Sequence, residues 1–517
     1  MATSIVSRGS DTLDVWTRRS TPKIEITLDG QKPGLVNSYT TGDQIEGVAK
    51  ITVDTEIRFD EIEINLQGNT KANSPTQGTS ITSVERAACP GRTGSQQMFL
   101  KLRQPIEETE YPTPRILEPG HEYTFPFTFV VPDRLLPQVC THTRVNHQIH
   151  TSHTLLPPTL GDPMLRTNAN SRTLLDDMAP DMSQISYLIR VAILKRSSTN
   201  HASLKALANV GKKVRIIPTV SEEPPINTSD YTYYCPRKEK TVKRGLLRGK
   251  QGHLVVSASQ PQPIRLHATT CEPQDTVSTV AKVSLRFDPV ANEQPPRLGS
   301  MSSKIKASTF YSSDPWEDFP CQSSSVPLSQ VGQGIFHDSV NLSNMCVASA
   351  QWEKHTCASA SGIGSIGIER RDSLVSSCSD DSTGPSASFT GDTYYTASLV
   401  IPVTLPTSKT FVPTFHSCLM SRSYSLDLSL SYHTPGTNIL TPTIKLRLPV
   451  QIITEPKYAD SMKSSLGLVV TQEELDEFFQ PRSISPAVAN ATIDIAAPPG
   501  YSETISQSNM GSVRAAR

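Results

Sequence analysis

The chain reads as an all-β protein, with two immunoglobulin-like antiparallel β-sandwich domains in tandem. Three observations predict this. Apolar residues recur with a period of two wherever they cluster, which is the signature of strands. Each run has one apolar and one polar face, as in sandwiches whose sheets are buried on one side. No strand-like run alternates regularly with a helix-like one, so a parallel βαβ architecture is excluded. At 517 residues the chain is long enough for two or three domains.

The elements follow in order. Ile24, Ile26 and Leu28 alternate with Glu25 and Thr27, and Ala49, Ile51 and Val53 with Lys50 and Thr52. Ile57 and Phe59 share one phase, whereas Ile62, Ile64 and Leu66 share the other. The slip at Asp60-Glu61 predicts a bulge or tight turn, because a one-residue shift moves every side chain to the opposite face. Tyr123, Phe125, Phe127, Phe129 and Val131 line one face of a long strand. Pro126 within it cannot donate to a ladder, which predicts an edge or a bulge. Tyr187, Ile189, Val191 and Ile193 make another strand, followed by a strand-like Val214–Ile217.

The pattern returns with Val283, Leu285 and Phe287, then Tyr424 to Tyr432, then Ile444 to Ile452. A domain boundary is expected near Pro218–Asp230, where Glu222, Glu223, Pro224 and Pro225 cluster. The expected organisation is a disordered N-terminus at 1–20, a first sandwich at 21–220, and a second at 228–456. A flexible Ser- and Gly-rich insert is expected at 312–390, and residues 69–96 also read as loosely ordered. A long insert is tolerated because loop-closure entropy grows only logarithmically with length. The tail, 457–517, carries an expected short helix at 472–479, where Thr471 and Glu474 have capping-box spacing.

Composition excludes several functional classes. Net charge is zero and the pI is near 7.2, so the chain lacks the electrostatic footprint of a nucleic-acid binder. No apolar run reaches bilayer-spanning length, and Met1–Ser20 lacks a signal-peptide core, so a cytoplasmic protein is expected. Nine cysteines without a CxxC pair read as reduced structural thiols. GxSxG, HExxH and P-loop motifs are absent, and no enzyme activity and no cofactor are expected. His142, His147, His150 and His153 crowd one region. Taken as a strand, that region points His147 and His150 to opposite faces, and no acidic or cysteine partner completes a site, so no metal centre is expected there. Gly362–Gly367 matches GxGxxG in letters only, without a βαβ context.

The motif richest in functional meaning is Pro498-Pro499-Gly500-Tyr501, a PPxY peptide near the C-terminus. Consecutive prolines favour a polyproline II rod that enters an aromatic groove with little ordering entropy left to lose. Pro498, Pro499 and Tyr501 are therefore the candidate WW-domain-binding residues, with Gly500 a spacer. A basic run comprises Arg237, Lys238, Lys240, Lys243, Arg244, Arg248 and Lys250, opposed only by Glu239. It is a candidate patch for an anionic membrane surface or acidic cargo segments. Ser373, in Arg370-Arg371-Asp372-Ser373-Leu374, is a candidate phosphosite that would supply an anchor for phosphoserine-reading proteins.

Together, ordered blocks of sequence resemble the arrestin family. Ile24–Leu28, Gly47–Val53 and Ile62–Gly68 are similar to the opening strands of an arrestin-like N-domain. Leu117-Glu118-Pro119-Gly120 followed by Tyr123–Phe127 and Val131-Pro132 resembles the family's strand before a proline-bounded loop, and Leu156–Gly161 a loop of its fungal branch. Gly252–Val256, Arg286–Pro289, Lys304–Ser312, Phe415–Cys418 and Arg422–Leu426 resemble the C-domain. With the PPxY, the whole looks like a fungal α-arrestin, an arrestin-related trafficking adaptor. The resemblance implies a scaffold that binds cytoplasmic segments of membrane transporters or receptors and recruits a WW-domain HECT-type ubiquitin ligase, working peripherally at the plasma membrane or endosomes. Many relatives carry two or more PPxY motifs; this chain has one, and Glu455-Pro456-Lys457-Tyr458 is at best a degenerate second. An arrestin-shaped scaffold acting without a ligase is the alternative, and a β-sandwich hydrolase or carbohydrate binder a third.

Overall fold

The computed structural model describes residues 21–31, 36–75, 92–145, 147–162, 165–168, 171–174, 176–180, 183–196, 204–226, 233–244, 249–266, 277–320, 332–356, 383–434 and 441–455. Among them the chain is almost entirely β. In the first sandwich, Lys23–Leu28, Gln44–Thr52 and Tyr123–Val130 form a three-stranded antiparallel sheet. A five-stranded sheet in the order Ser38–Tyr39, Leu204–Ile216, Gln184–Arg196, Glu61–Pro75, Arg92–Gln104 joins it in one core. Pro126 lies on an edge strand of its sheet, where its missing N–H costs no ladder bond.

The alternation read from sequence decides which side chains enter the core. Ile24, Ile26 and Leu28 point inward with Ala49, Ile51, Phe125, Phe127 and Phe129, and meet Ile62, Ile64, Leu66, Ile189 and Val191 from the other sheet. Burial of each large aliphatic or aromatic side chain contributes about 1.5–3 kcal/mol. The proline loop at 156–161 is tied across the last strands: Thr159 N–H donates to Ile216 O at 2.8 Å, and Tyr187 Oη–H to Pro157 O at 2.5 Å.

In the second sandwich, Arg237–Lys243, Lys250–Ala258, Ser278–Pro289, Thr393–Thr404 and Glu353–Thr356 form one sheet. The other is Gln333–Cys346, Arg297–Ser312 and Met420–His433, with Phe415–His416 and Thr443–Val450 both on the last of these. Val283, Leu285, Phe287, Leu426, Leu428, Leu446 and Leu448 fill the core.

Three expectations are corrected. Residues 333–346 and 353–356, assigned by sequence to a flexible insert, are ladder strands against Arg297–Ser312 and Thr393–Thr404. Their alternation is blurred because edge strands are only half-buried; Ser343 pairs its hydroxyl with Ser303 at 2.7 Å rather than packing an apolar face. Likewise, residues 69–75 and 92–96 extend a long hairpin rather than a loose loop. The segment His147–His153, read as a strand, is a helix. The expected helix at 472–479 lies outside the described residues.

The two cores interlock. Val412, Phe415, Cys418, Leu419 and Met420 of the second sandwich pack into the first core, and Met178 of the first packs into the second. Val220 bridges Thr454, so the connection at 217–226 runs back along the end of the second sandwich.

Candidate functional site

The junction between the sandwiches holds a cluster of buried polar and charged groups. Arg422, on the Met420–His433 strand, is 0% exposed. It donates from Nη1 to Asp177 O and from Nη2 to Met178 O, each at 3.1 Å, and so grips the backbone of the opposite sandwich. Met178 holds a positive φ of 57°, which turns its side chain into the second core. The Asp177 carboxylate accepts from Gly161 N–H at 2.6 Å and Ala179 N–H at 3.3 Å. Burial raises its carboxyl above the ordinary range, while those N–H groups and Arg422 work in the opposite direction. Beside it Lys409 pairs with Asp176 and with Asp338 at 3.3 Å, which raises Lys409 and lowers Asp176. These groups hold two rigid bodies in one orientation. They present no arrangement of nucleophile and base.

A second cluster lies at the same junction. Cys140, His142, His153 and Cys418 bring their thiol and imidazole heteroatoms within 4.8 Å of one another. Cys140 Sγ is 3.2 Å from His142 Nε2 and 3.6 Å from His153 Nδ1, and the two ring nitrogens are 3.3 Å apart. Burial pushes His153 down to about 3, helped by the neighbouring His142, and pushes the Cys418 thiol up to about 12 beside Cys140. The sequence reading held that no cysteine completes the histidine group; the fold supplies two. Cys140 and His142 were visible as a Cys-x-His pair, but Cys418 arrives from the other sandwich, where no local pattern announces it. His147 and His150 stay together on the helix, ring centroids 5.8 Å apart, and do not join the cluster.

The basic run lies on an edge strand, Arg237–Lys243, and its return. The period of two divides its cations between both faces. Arg237 donates to Gly384 O and Pro385 O, Lys240 donates to Thr443 O and sits over the Tyr432 ring, and Arg244 pairs with Glu293. Lys238, Lys243 and Lys250 are exposed, the last two directly opposite each other across the hairpin. Arg248, Ser373, Pro498, Pro499 and Tyr501 lie outside the described residues. Among the described residues, no helix is long and apolar enough to cross a membrane.

Comparison with known proteins agrees with the architecture. Residues 24–208 match the family described as arrestin (or S-antigen), N-terminal domain. Over 170 residues the chain is 32% identical to Bypass of stop codon protein 5 of Saccharomyces cerevisiae, covering 29% of this chain and 32% of that protein. The match thus spans about a third of the relative's length. The domain match coincides with the first sandwich, and a second all-β sandwich is locked to it through Arg422; the first sandwich is similar to the arrestin N-terminal domain, and the whole has the tandem β-sandwich architecture of arrestin-like proteins.

Proposed function

We propose that the chain is a non-catalytic adaptor that binds cytoplasmic segments of membrane transporters or receptors and recruits a WW-domain HECT-type ubiquitin ligase, promoting cargo ubiquitylation and endocytosis. The observation that carries this reading is the Pro498-Pro499-Gly500-Tyr501 peptide, which follows in the sequence a sandwich that matches the arrestin N-terminal domain and a second β-sandwich. The sandwiches hold cargo while the peptide raises the local concentration of ligase beside it, so the whole effect is proximity. A single PPxY binds without avidity, in about the micromolar range. Ser373 adds a regulatory anchor once phosphorylated, through charge-assisted contacts. The exposed Lys238, Lys243 and Lys250 favour anionic surfaces by about 1 kcal/mol each when close to a membrane.

Pulldown with isolated WW domains tests the ligase arm. Wild-type chain is retained and Tyr501→Ala is lost, since the tyrosine pocket is then empty. Equal retention of both would leave an arrestin-shaped scaffold that meets no ligase. For the cationic edge, co-sedimentation with vesicles containing phosphatidylserine is expected to fall several-fold for the triple Lys238→Glu, Lys243→Glu, Lys250→Glu variant.

A further inference from the structure

We infer that Cys140, His142, His153 and Cys418 form a structural zinc site that staples the two sandwiches together. This goes beyond the adaptor reading and stands or falls independently of it.

Spacing among the four side chains is the first argument. A tetrahedral zinc ion with Zn–S near 2.3 Å and Zn–N of about 2.0–2.1 Å holds S and N ligands about 3.5 Å apart and two N ligands about 3.3 Å apart. The cluster has S···N separations of 3.2 and 3.6 Å and an N···N separation of 3.3 Å. Cys418 completes the set within 4.8 Å of the others, with both cysteines present as thiols rather than a disulfide. Two sulfurs and two imidazoles in a tetrahedral arrangement select zinc among the common divalent ions.

Ligand orientation is the second argument. His142 Nδ1 lies 2.9 Å from Thr143 O, which can only accept, so Nδ1 carries the proton and Nε2 presents a lone pair to the cluster. That is the outer contact a metal-bound histidine requires. Arg144 Nη1 donates to Cys140 O at 2.8 Å and reaches to 3.9 Å from the Cys140 sulfur, an outer contact that fixes the Cys140 backbone beside the cluster.

Each ligand also comes from a fixed piece of backbone. Cys140 ends the Pro137–Val139 turn with its N–H on Pro137 O, and His153 ends the His147–His153 helix. Cys418 stands in a tight turn closed by Ser417 N–H to Met420 O at 2.9 Å, and its own carbonyl accepts from Trp316 N–H at 2.8 Å. Cys140, His153 and Cys418 are at most 3% exposed, so the site is closed, with four protein ligands and no place for a reacting water. Three ligands belong to the first sandwich and one to the second. The ion therefore ties the junction that Arg422 also grips, and makes its rigidity depend on reduced thiols and available zinc.

The test uses the full chain purified under reducing conditions without added metal. Elemental analysis is expected to find about one zinc per chain, and X-ray absorption of that sample a shell of two sulfurs and two nitrogens. Cys418→Ser and His142→Ala are expected to lose most of the zinc, while Cys235→Ser, at a free cysteine outside the cluster, retains it. Replacing zinc by cobalt should give the intense visible absorption of a tetrahedral thiolate site. Chelation of wild type should increase hydrogen exchange at residues 137–153 and 415–420 together. Wild type with less than a tenth of an equivalent of metal, Cys140 and Cys418 joined as a disulfide, or a sulfur-free metal shell would each overturn the inference. The absorption spectrum reads the unmutated chain, so a variant that fails to fold does not protect the idea.

Discussion

Arg422 illustrates how a single side chain can be structural without being apolar. Its guanidinium is fully buried and its two terminal nitrogens bond to carbonyls of the opposing sandwich. Arg422→Met keeps the length but strands Asp177 O and Met178 O without donors, so a loss of about 3 kcal/mol is expected in urea denaturation. Its neighbour Asp177 makes a pH-dependent contribution. Burial raises its carboxyl above the ordinary 3.8, so the unfolded chain ionises first as pH climbs. Its stabilising contribution is full below pH 3.8 and is lost as pH rises through the raised folded value. Asp177→Asn cannot ionise. Measured as a difference from wild type in urea midpoints across pH 4.5–7, the variant should gain relative stability toward neutral pH. At this scale the sequence was partly legible: Arg422 lay inside a block read as arrestin-like, but its partner, the backbone after Asp176, carried no motif.

At the scale of single elements, both sandwiches use the same device. A glycine in a core strand is covered by a phenylalanine ring: a Cβ at Gly47 would lie 2.3 Å from Thr27 O and 2.7 Å from Phe127 Cζ, and one at Gly252 would lie 2.5 Å from both Asp288 O and Phe287 Cζ. The ring occupies the space a side chain would need, and the strands twist around it. Gly47→Ala and Gly252→Ala are each expected to cost about 1–3 kcal/mol, read as lowered urea midpoints. Gly384→Ala meets no neighbouring atom and is expected to change nothing measurable. Strands with one fully buried face were readable because period two and burial coincide, as in Tyr123–Val130 and Met420–His433. Gln333–Cys346 was not, because a half-buried edge carries little apolar signal. The basic run was readable as charge, but its division over two strand faces was not.

For the whole molecule, the governing fact is that neither core is complete alone. The first borrows Val412, Phe415, Leu419 and Met420, each worth about 1.5–3 kcal/mol when buried. Expressed alone, residues 1–226 should therefore be poorly soluble and bind an apolar dye. Co-expression with 227–517 should restore a soluble pair, checked by size-exclusion chromatography. A soluble, stable first sandwich on its own would mean that these contacts contribute little. The sequence by itself determined the all-β class, the inward face of the principal strands and the PPxY peptide, because period-two burial and polyproline geometry are local properties of consecutive residues. Only the tertiary structure decided the Arg422 clasp, the ordered strands within the supposed insert and the meeting of Cys418 with Cys140, His142 and His153. The clasp and the cluster depend on segments hundreds of residues apart being carried to one place by two sandwiches folding against each other, and the insert strands on half-buried edges finding a partner strand.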